Sequence, residues 1–398
     1  MSPTRFLTLA VFSMALVALP ANAQTIAVLH TFAGGTDGQS PAMGLTMDAG
    51  GNFYGTTYGA PDGAIPANYG TIYEITKKGK YVVIHRFHGP DGANPQVGYL
   101  ILDSTGNLYG TARIGGTLPG GAAGAGSGTV FKLDRNHRLT TLYTFTGFLD
   151  GAEPSGTLVR NAAGEIFGTT QGGGTKGYGT VFKIDASGKE SVLHNFRIGI
   201  ANGGTSPYNG LVSDSRGNLY GVDGPGGDYT DHGGNVFKIS DGGVERTLYH
   251  FTGGADGGIP SGQLLVDAQR NLYGVTSLGG TFNAGVIFKI DSSGKETVFH
   301  NFAGGPNNDG SLPVGGLITD GAGNLYGATN GGGVKSNYGT VFQLDTLGQL
   351  TILYTFAFSL EGGPVVGLTR DANGNLYGAT SLNVGGINHF GSIFELTP

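Results

Sequence analysis

The chain has 398 residues, of which 78 are glycine and 13% are charged, against usual shares of about 7% and about 25%, and this excludes a fold built on long helices. Hydrophobic residues at 38% and aromatic residues at 10% supply a core and exclude a disordered chain. A formal charge of −6 gives no electrostatic footprint for nucleic acid or anionic lipid, and neither is an expected partner.

At the N-terminus, Arg5 precedes an uncharged apolar run from Phe6 to Leu19, and Ala21-Asn22-Ala23 has the small-x-small pattern read by a signal peptidase. Residues 1–23 are expected to be a signal peptide, because the run falls short of the roughly 20 apolar residues that span a bilayer. An exported chain follows, bound for the periplasm or the medium, with no membrane span. It has no cysteine, so packing and closure of the fold must replace disulfides as its source of stability.

From there one unit recurs seven times. Its first mark is a tripeptide ending in glycine: Phe53-Tyr54-Gly55, Leu108-Tyr109-Gly110, Ile166-Phe167-Gly168, Leu219-Tyr220-Gly221, Leu272-Tyr273-Gly274, Leu325-Tyr326-Gly327 and Leu376-Tyr377-Gly378. A second mark follows each, from Ile72-Tyr73 to Ile393-Phe394, and a third ends in Phe32, Phe87, Phe145, Phe196, Phe251, Phe302 and Phe356. In the third unit Leu158 to Arg160 reads as strand A, Glu165 to Thr170 as B, Thr180 to Ile184 as C and Ser191 to Phe196 as D, with Asn/Gly turns between them. A period of two puts Phe182 and Ile184 on one face of strand C. A sheet this small cannot bury its faces alone, and about 50 residues in four strands is the length of a propeller blade.

The expected fold is therefore all-β: a seven-bladed β-propeller of four-stranded antiparallel blades, forming one domain over residues 24–398. The blades fall at about 41–87, 95–145, 154–196, 207–251, 260–302, 313–356 and 363–397, the last completed by 26–32. The opening segment Ile26 to Phe32 matches strand D and the closing segment Ser392 to Leu396 matches strand C. Their pairing would build the seventh blade from both termini, leave no free sheet edge and give a monomer.

The Asn-Leu-Tyr-Gly-x-Thr and Gly-Thr-Val-Phe-Lys-Ile-Asp runs, with Gly-Gly loops between them, resemble the GloVer (Gloeo/Verruco) repeat family of exported bacterial proteins over Ile26 to Pro398. The resemblance implies an extracytoplasmic location, often with a C-terminal sorting or anchoring segment, and no established activity. This sequence reads Phe394-Glu395-Leu396-Thr397-Pro398 at its end, so release is expected rather than attachment.

In a propeller the D to A and B to C connections share the face that usually carries the site. The D to A link repeats Asp-Gly-x-x-Pro, which sets Asp37, Asp91, Asp150, Asp256 and Asp309, with Glu361 as a variant, around one opening. Such a rim suits a divalent cation or a polyol; alternatively, each Asp caps its own turn, and repetition in nearly every unit favours that reading. Two residues before each strand-D Phe stand His30, His85, Tyr143, His194, Tyr249, His300 and Tyr354, expected to pack between blades with a hydrogen-bonding tip. The B to C loop of the fourth unit, Val222 to Gly233, departs from its sisters. There Asp228, Asp231 and His232 offer ligands for calcium or a transition metal, or an acid–base pair, or form a solvated acidic loop.

No nucleophile elbow, zinc-protease helix or phosphate loop is present, and the absence of tryptophan argues against the Trp-Asp repeat class. The leading expectation is a secreted, non-enzymatic propeller that binds a glycan or another extracytoplasmic protein through its glycine-rich face. The alternative is a carbohydrate-active hydrolase or lyase using the acids of the fourth unit.

Overall fold

The computed structural model describes residues 24–59, 69–95, 98–120, 124–197, 205–224, 233–305, 309–333, 338–356, 363–364, 367–380 and 390–397. Residues 1–23, Glu361 and the 225–232 loop that carries Asp228, Asp231 and His232 lie outside them. The fold is all-β and propeller-like. Five sheets have four strands, and a sixth of eight strands is two such units joined by one parallel contact, Gln263 with Gly316.

Within a unit the strands lie side by side in chain order, each antiparallel to the next. In the third they are Ala152–Arg160, Ile166–Gly172, Thr180–Ile184 and Glu190–Asn195. Strand A begins six residues earlier than the sequence suggests, because the Asp-Gly-x-x-Pro link is extended and Pro154 pairs with Thr170. A proline is tolerated there since strand A is an edge of the sheet, where its missing N–H breaks no ladder bond. A different sheet joins Thr25–Thr31 to Ser392–Thr397, followed by Leu376–Thr380 and Thr369–Arg370. Its register pairs Ile26 with Leu396 and Val28 with Phe394.

The repeated motif has a steric reason. A Cβ on Gly168 would lie 2.5 Å from Phe182 Cζ and 2.6 Å from Leu158 Cδ2, so glycine in strand B opens the space into which the strand-C ring and the strand-A leucine pack. The tyrosine before it ties down the A to B turn: Tyr54, Tyr109, Tyr220, Tyr273, Tyr326 and Tyr377 each donate to an Asp six residues upstream at 2.9–3.2 Å. In the third unit both partners change together, to Phe167 and Asn161.

The core lies between successive units rather than within them. Of seven clusters of buried residues, six each draw on two units that follow one another, and the seventh joins Leu45, Phe53 and Tyr73 of the first unit to Phe32, Tyr377 and Ile393. The strand-D Phe of one sheet meets the strand-C ring of the next edge-on. Phe87 with Phe131, Phe145 with Phe182, Phe196 with Phe237, Phe251 with Phe288, Phe302 with Phe342 and Phe356 with Phe394 have centroids 4.9–5.3 Å apart. Phe32, which follows the first strand, makes the same contact with Tyr73 at 5.5 Å. Such pairs add roughly 0.5–1.5 kcal/mol each beyond area burial.

Strand A is the inner strand, where neighbouring units meet backbone to backbone through parallel contacts of Thr157 with Gly210 and Gln263 with Gly316. Hydroxyls add to this seam: Thr46 donates to the Leu100 carbonyl, Thr369 to that of Leu45 and Ser261 to that of Pro313.

Candidate functional site

Five of the six rim carboxylates are described, and each is held by the strand D that precedes it and by its own turn. Asp37 and Asp91 accept from Nε2 of His30 and His85 at 3.1 and 3.0 Å, Asp150 and Asp256 from the hydroxyls of Tyr143 and Tyr249 at 3.1 Å, and Asp309 from His300 Nε2 at 2.5 Å. Each also accepts a backbone amide of its own turn, from Ala33, His88, Thr146, Thr252 or Ala303, at 2.8–2.9 Å. The strand-D His and Tyr rings stand edge-on to the terminal Phe and clamp the turn by their tips. The hydrogen-bonding tip expected of this ring layer thus has the Asp of the following turn as its partner, a pairing the sequence reading did not make. Among the described residues no group of three or more His, Cys, Asp and Glu is arranged to hold a metal ion.

Burial opposes ionisation of Asp91 and Asp309, but the bonds from the His ring and the turn amide outweigh it and hold both carboxyls below their ordinary value. The reverse holds at His30, where burial lowers the ring's value despite the attraction of Asp37. A depressed carboxyl stabilises the fold above its unfolded value and loses that contribution as pH falls through the folded one. Asp309→Ala is expected to cost about 1–2 kcal/mol at pH 7, measured by urea unfolding, with the difference from the parent shrinking in acid.

The fourth unit breaks this uniformity at a buried place. Its strands are Leu211–Ser213, Leu219–Asp223, Asn235–Ile239 and Glu245–His250. At the end of strand B four other units place a threonine that bonds the hydroxyl opposite: Thr57 with Thr71, Thr170 with Thr180, Thr329 with Thr340 and Thr380 with Ser392. Here Asp223 is 3% exposed, faces Asn235, and accepts from its amide at 3.1 Å and its Nδ2 at 2.9 Å, while Asn235 Oδ1 meets His250 Nδ1 at 2.7 Å. The sequence reading placed Asp223 in the B to C loop. Strand pairing instead makes it the last residue of strand B, directly before the segment that leads to Asp228, Asp231 and His232. Asn235 and His250 were missed, since only the register brings them together; their signal is that sister units have mostly Thr, Ser or Val at the first position.

Burial drives the Asp223 carboxyl well above its ordinary value, with the Asn235 bonds opposing it only in part. A raised carboxyl means that the folded chain keeps a proton the unfolded chain has lost, so stability falls as pH rises above the unfolded value of about 3.9. Asp223→Asn keeps an acceptor for Asn235 and removes the titration. The variant is expected to melt like the parent near pH 4 and above it at pH 8, as read by thermal melts across that range.

Around the inner strands, Tyr99 donates from its hydroxyl to the Leu368 carbonyl at 3.0 Å and from its amide to Thr157 Oγ1 at 2.9 Å, and Gln263 Nε2 donates to the Leu211 carbonyl at 3.2 Å. These bonds link units that are not adjacent in the chain as well as neighbours. Beside them lies a cavity of about 510 Å³ whose wall includes Ile101, Val159, Val212, Leu265 and Ile318.

Three overlapping stretches, residues 13–124, 115–276 and 233–398, match the Gloeobacter/Verrucomicrobia repeat. The chain belongs to this family. The Tyr-Gly strand, the strand-C aromatic and the clamped Asp turn recur within the matched stretches, and the Asp223 group is a departure from the sister units of this chain. No curated protein matches the chain.

Among solved structures, the extracellular domain of a protein described as a hybrid two component system from B. thetaiotaomicron aligns at 12% identity and a TM-score of 0.57. The alignment covers 92% of this chain and 39% of that one. A puromycin-hydrolyzing peptidase from Mycobacterium tuberculosis aligns at 12% identity and a TM-score of 0.53, covering 86% of this chain and 50% of its own. A gluconolactonase from Xanthomonas campestris covers 90% of this chain and 94% of its own at 15% identity, with a TM-score of 0.46. The first two support the propeller-like fold, and this chain spans half or less of their lengths. No helix among the described residues is long and apolar enough to cross a membrane.

Proposed function

We propose that this family member is an exported, closed propeller of seven blades that binds a glycan or another extracytoplasmic protein and carries out no catalysis. The observation behind the binding role is the clamp on the rim: in five units the same Asp is engaged by the same His or Tyr and the same turn amide. A catalytic centre needs unlike groups converging on one reacting atom, whereas an array of locally satisfied turns offers a rigid face of Gly, Asn, Thr and Tyr suited to recognition.

Closure is supported by two kinds of contact that run through the chain ends. Phe32 against Tyr73 continues the series of ring contacts, and a Cβ on Gly391 would lie 2.5 Å from Pro41. That approach repeats those of Gly70 on Pro95, Gly234 on Pro260 and Gly285 on Pro313. In this reading residues 24–398 form one domain and act as a monomer, and 1–23 are removed on export to the periplasm or medium; the intact mass of the secreted product checks this, with Gln24 as the expected first residue.

A glycan-array screen followed by product analysis tests the role. Retention of a glycan without new products supports it, and turnover of a bound glycan overturns it. Calorimetric titration with calcium and zinc, repeated on Asp228→Ala combined with Asp231→Ala, tests the fourth-unit loop. Heat in the parent alone supports a cation site, and a parent without heat removes it.

A further inference from the structure

At the opposite end of the sheets, where the A to B and C to D turns lie, a groove of about 450 Å³ runs between the fourth and fifth units. Its wall includes Lys238, Arg246, Arg270, Tyr220, Leu248 and the Asp291 turn. Two departures from the repeat both add positive charge there. Lys238 and Arg246 are direct cross-strand partners, a like-charge juxtaposition that destabilises a sheet; the same pair is Lys132 with Thr140, Lys183 with Ser191 and Lys289 with Thr297 in sister units. Arg270 occupies the turn position where other units have a glycine such as Gly106, Gly217 or Gly323. It adopts φ 64° there, a conformation that disfavours side chains other than glycine.

The turn does not require arginine, for its amide makes the same bond to the Asp267 carbonyl at 2.9 Å that Gly106 makes to Asp103 at 3.0 Å. Among the described residues none of the three cations has a carboxylate within ion-pair distance. The one carboxylate of the wall, Asp291, accepts from Ser293 and the Lys295 amide. Lys238 Nζ lies over the Tyr220 ring at 5.8 Å, which leaves its donors free to turn into the groove. The repeat does not dictate this sign: the corresponding groove between the first and second units is lined by Asp48, Glu74, Asp103 and Asp134 with Arg135 and His137.

We propose that the groove between the fourth and fifth units binds a tetrahedral oxyanion, phosphate or sulfate, through Arg246, Arg270 and Lys238. Two guanidinium forks suit such an anion, and Leu248 beside Tyr220 provides an apolar wall for whatever carries it. The site uses only the packing of two sheets, so it stands apart from ring closure and from the face assigned above to recognition.

The test follows melting of the full chain in sodium phosphate and sodium sulfate against sodium chloride of equal ionic strength, with Arg270→Gly and Arg246→Thr beside the parent. The parent is expected to gain stability beyond the chloride control, and each variant to bind the anions about tenfold more weakly. Without anion, Arg270→Gly is expected to be at least as stable as the parent, so its loss of response cannot be misfolding. A parent that responds no more than to chloride, or variants that respond like the parent, overturns the site. A sulfated oligosaccharide distinguishes the bearer: tighter binding than inorganic sulfate assigns a polymer-borne group, and equal binding a free anion, each through the same residues.

Discussion

Deletion of residues 24–32 is expected to abolish cooperative unfolding of the native fold. The segment supplies the whole outer strand of one sheet, with Thr25 to Thr31 paired against Ser392 to Thr397, and Phe32 is 1% exposed in a cluster with Tyr73, Tyr377 and Ile393. Loss of one such Phe costs about 3–5 kcal/mol, and the pairing of six residues goes with it. Together these approach the stability of a typical domain, about 5–15 kcal/mol. The strand Ser392–Thr397 would then become an open edge able to recruit other chains. Circular dichroism melts and size-exclusion chromatography check this: the deletion should lack a sharp transition or aggregate, while Phe32→Ala should keep the transition at a lower temperature. A deletion that melts like the parent would show that the first strand contributes nothing to the fold.

A comparable effect is expected from one methyl group on the inner strands. Gly262 has φ 72°, and a Cβ there would fall on the backbone of Gly315 and Gly316 in the next unit; Gly156 stands in the same relation to Gly210. Backbone cannot move aside as a side-chain tip can, and the conformation itself disfavours alanine. Gly262→Ala and Gly156→Ala should therefore each cost about 3 kcal/mol or more. Gly79, with φ 78° and open space around its Cβ position, is the control, and Gly79→Ala should cost about 1 kcal/mol. Urea midpoints of the three variants decide. Equal losses would mean that backbone strain alone acts and that close approach of the inner strands does not matter.

The repeat was legible because its marks are steric. A Tyr-Gly pair, a strand-C aromatic and a strand-D Phe recur at fixed places, and period-two patterning put Phe182 and Ile184 on one face, which the structure buries against the preceding unit while Val181 is buried on the other. What lay beyond reach depended on register. Asp223, Asn235 and His250 are 12 and 15 residues apart and meet only because strands B, C and D pair as they do, so Asp223 read as a loop acid. The start of strand A was hidden for another reason: Asp-Gly-x-x-Pro has the composition of a turn, and only an inner edge strand lets Pro154 continue a ladder. The clamp on Asp37 and its equivalents combined two columns of residues that the sequence offered separately. Arg270, the non-glycine residue in a column of turn glycines, went unremarked in the sequence reading, because its meaning needed the neighbouring sheet that brings Lys238 and Arg246 beside it.

Amide hydrogen exchange read by mass spectrometry on the intact chain tests closure most directly. If the termini share one sheet that completes a ring, amides of Thr25 to Thr31 should exchange as slowly as those of Leu376 to Thr380 and Ser392 to Thr397, and all three should become exposed together in denaturant. Fast exchange of the first segment while the other two stay protected would contradict the closed ring.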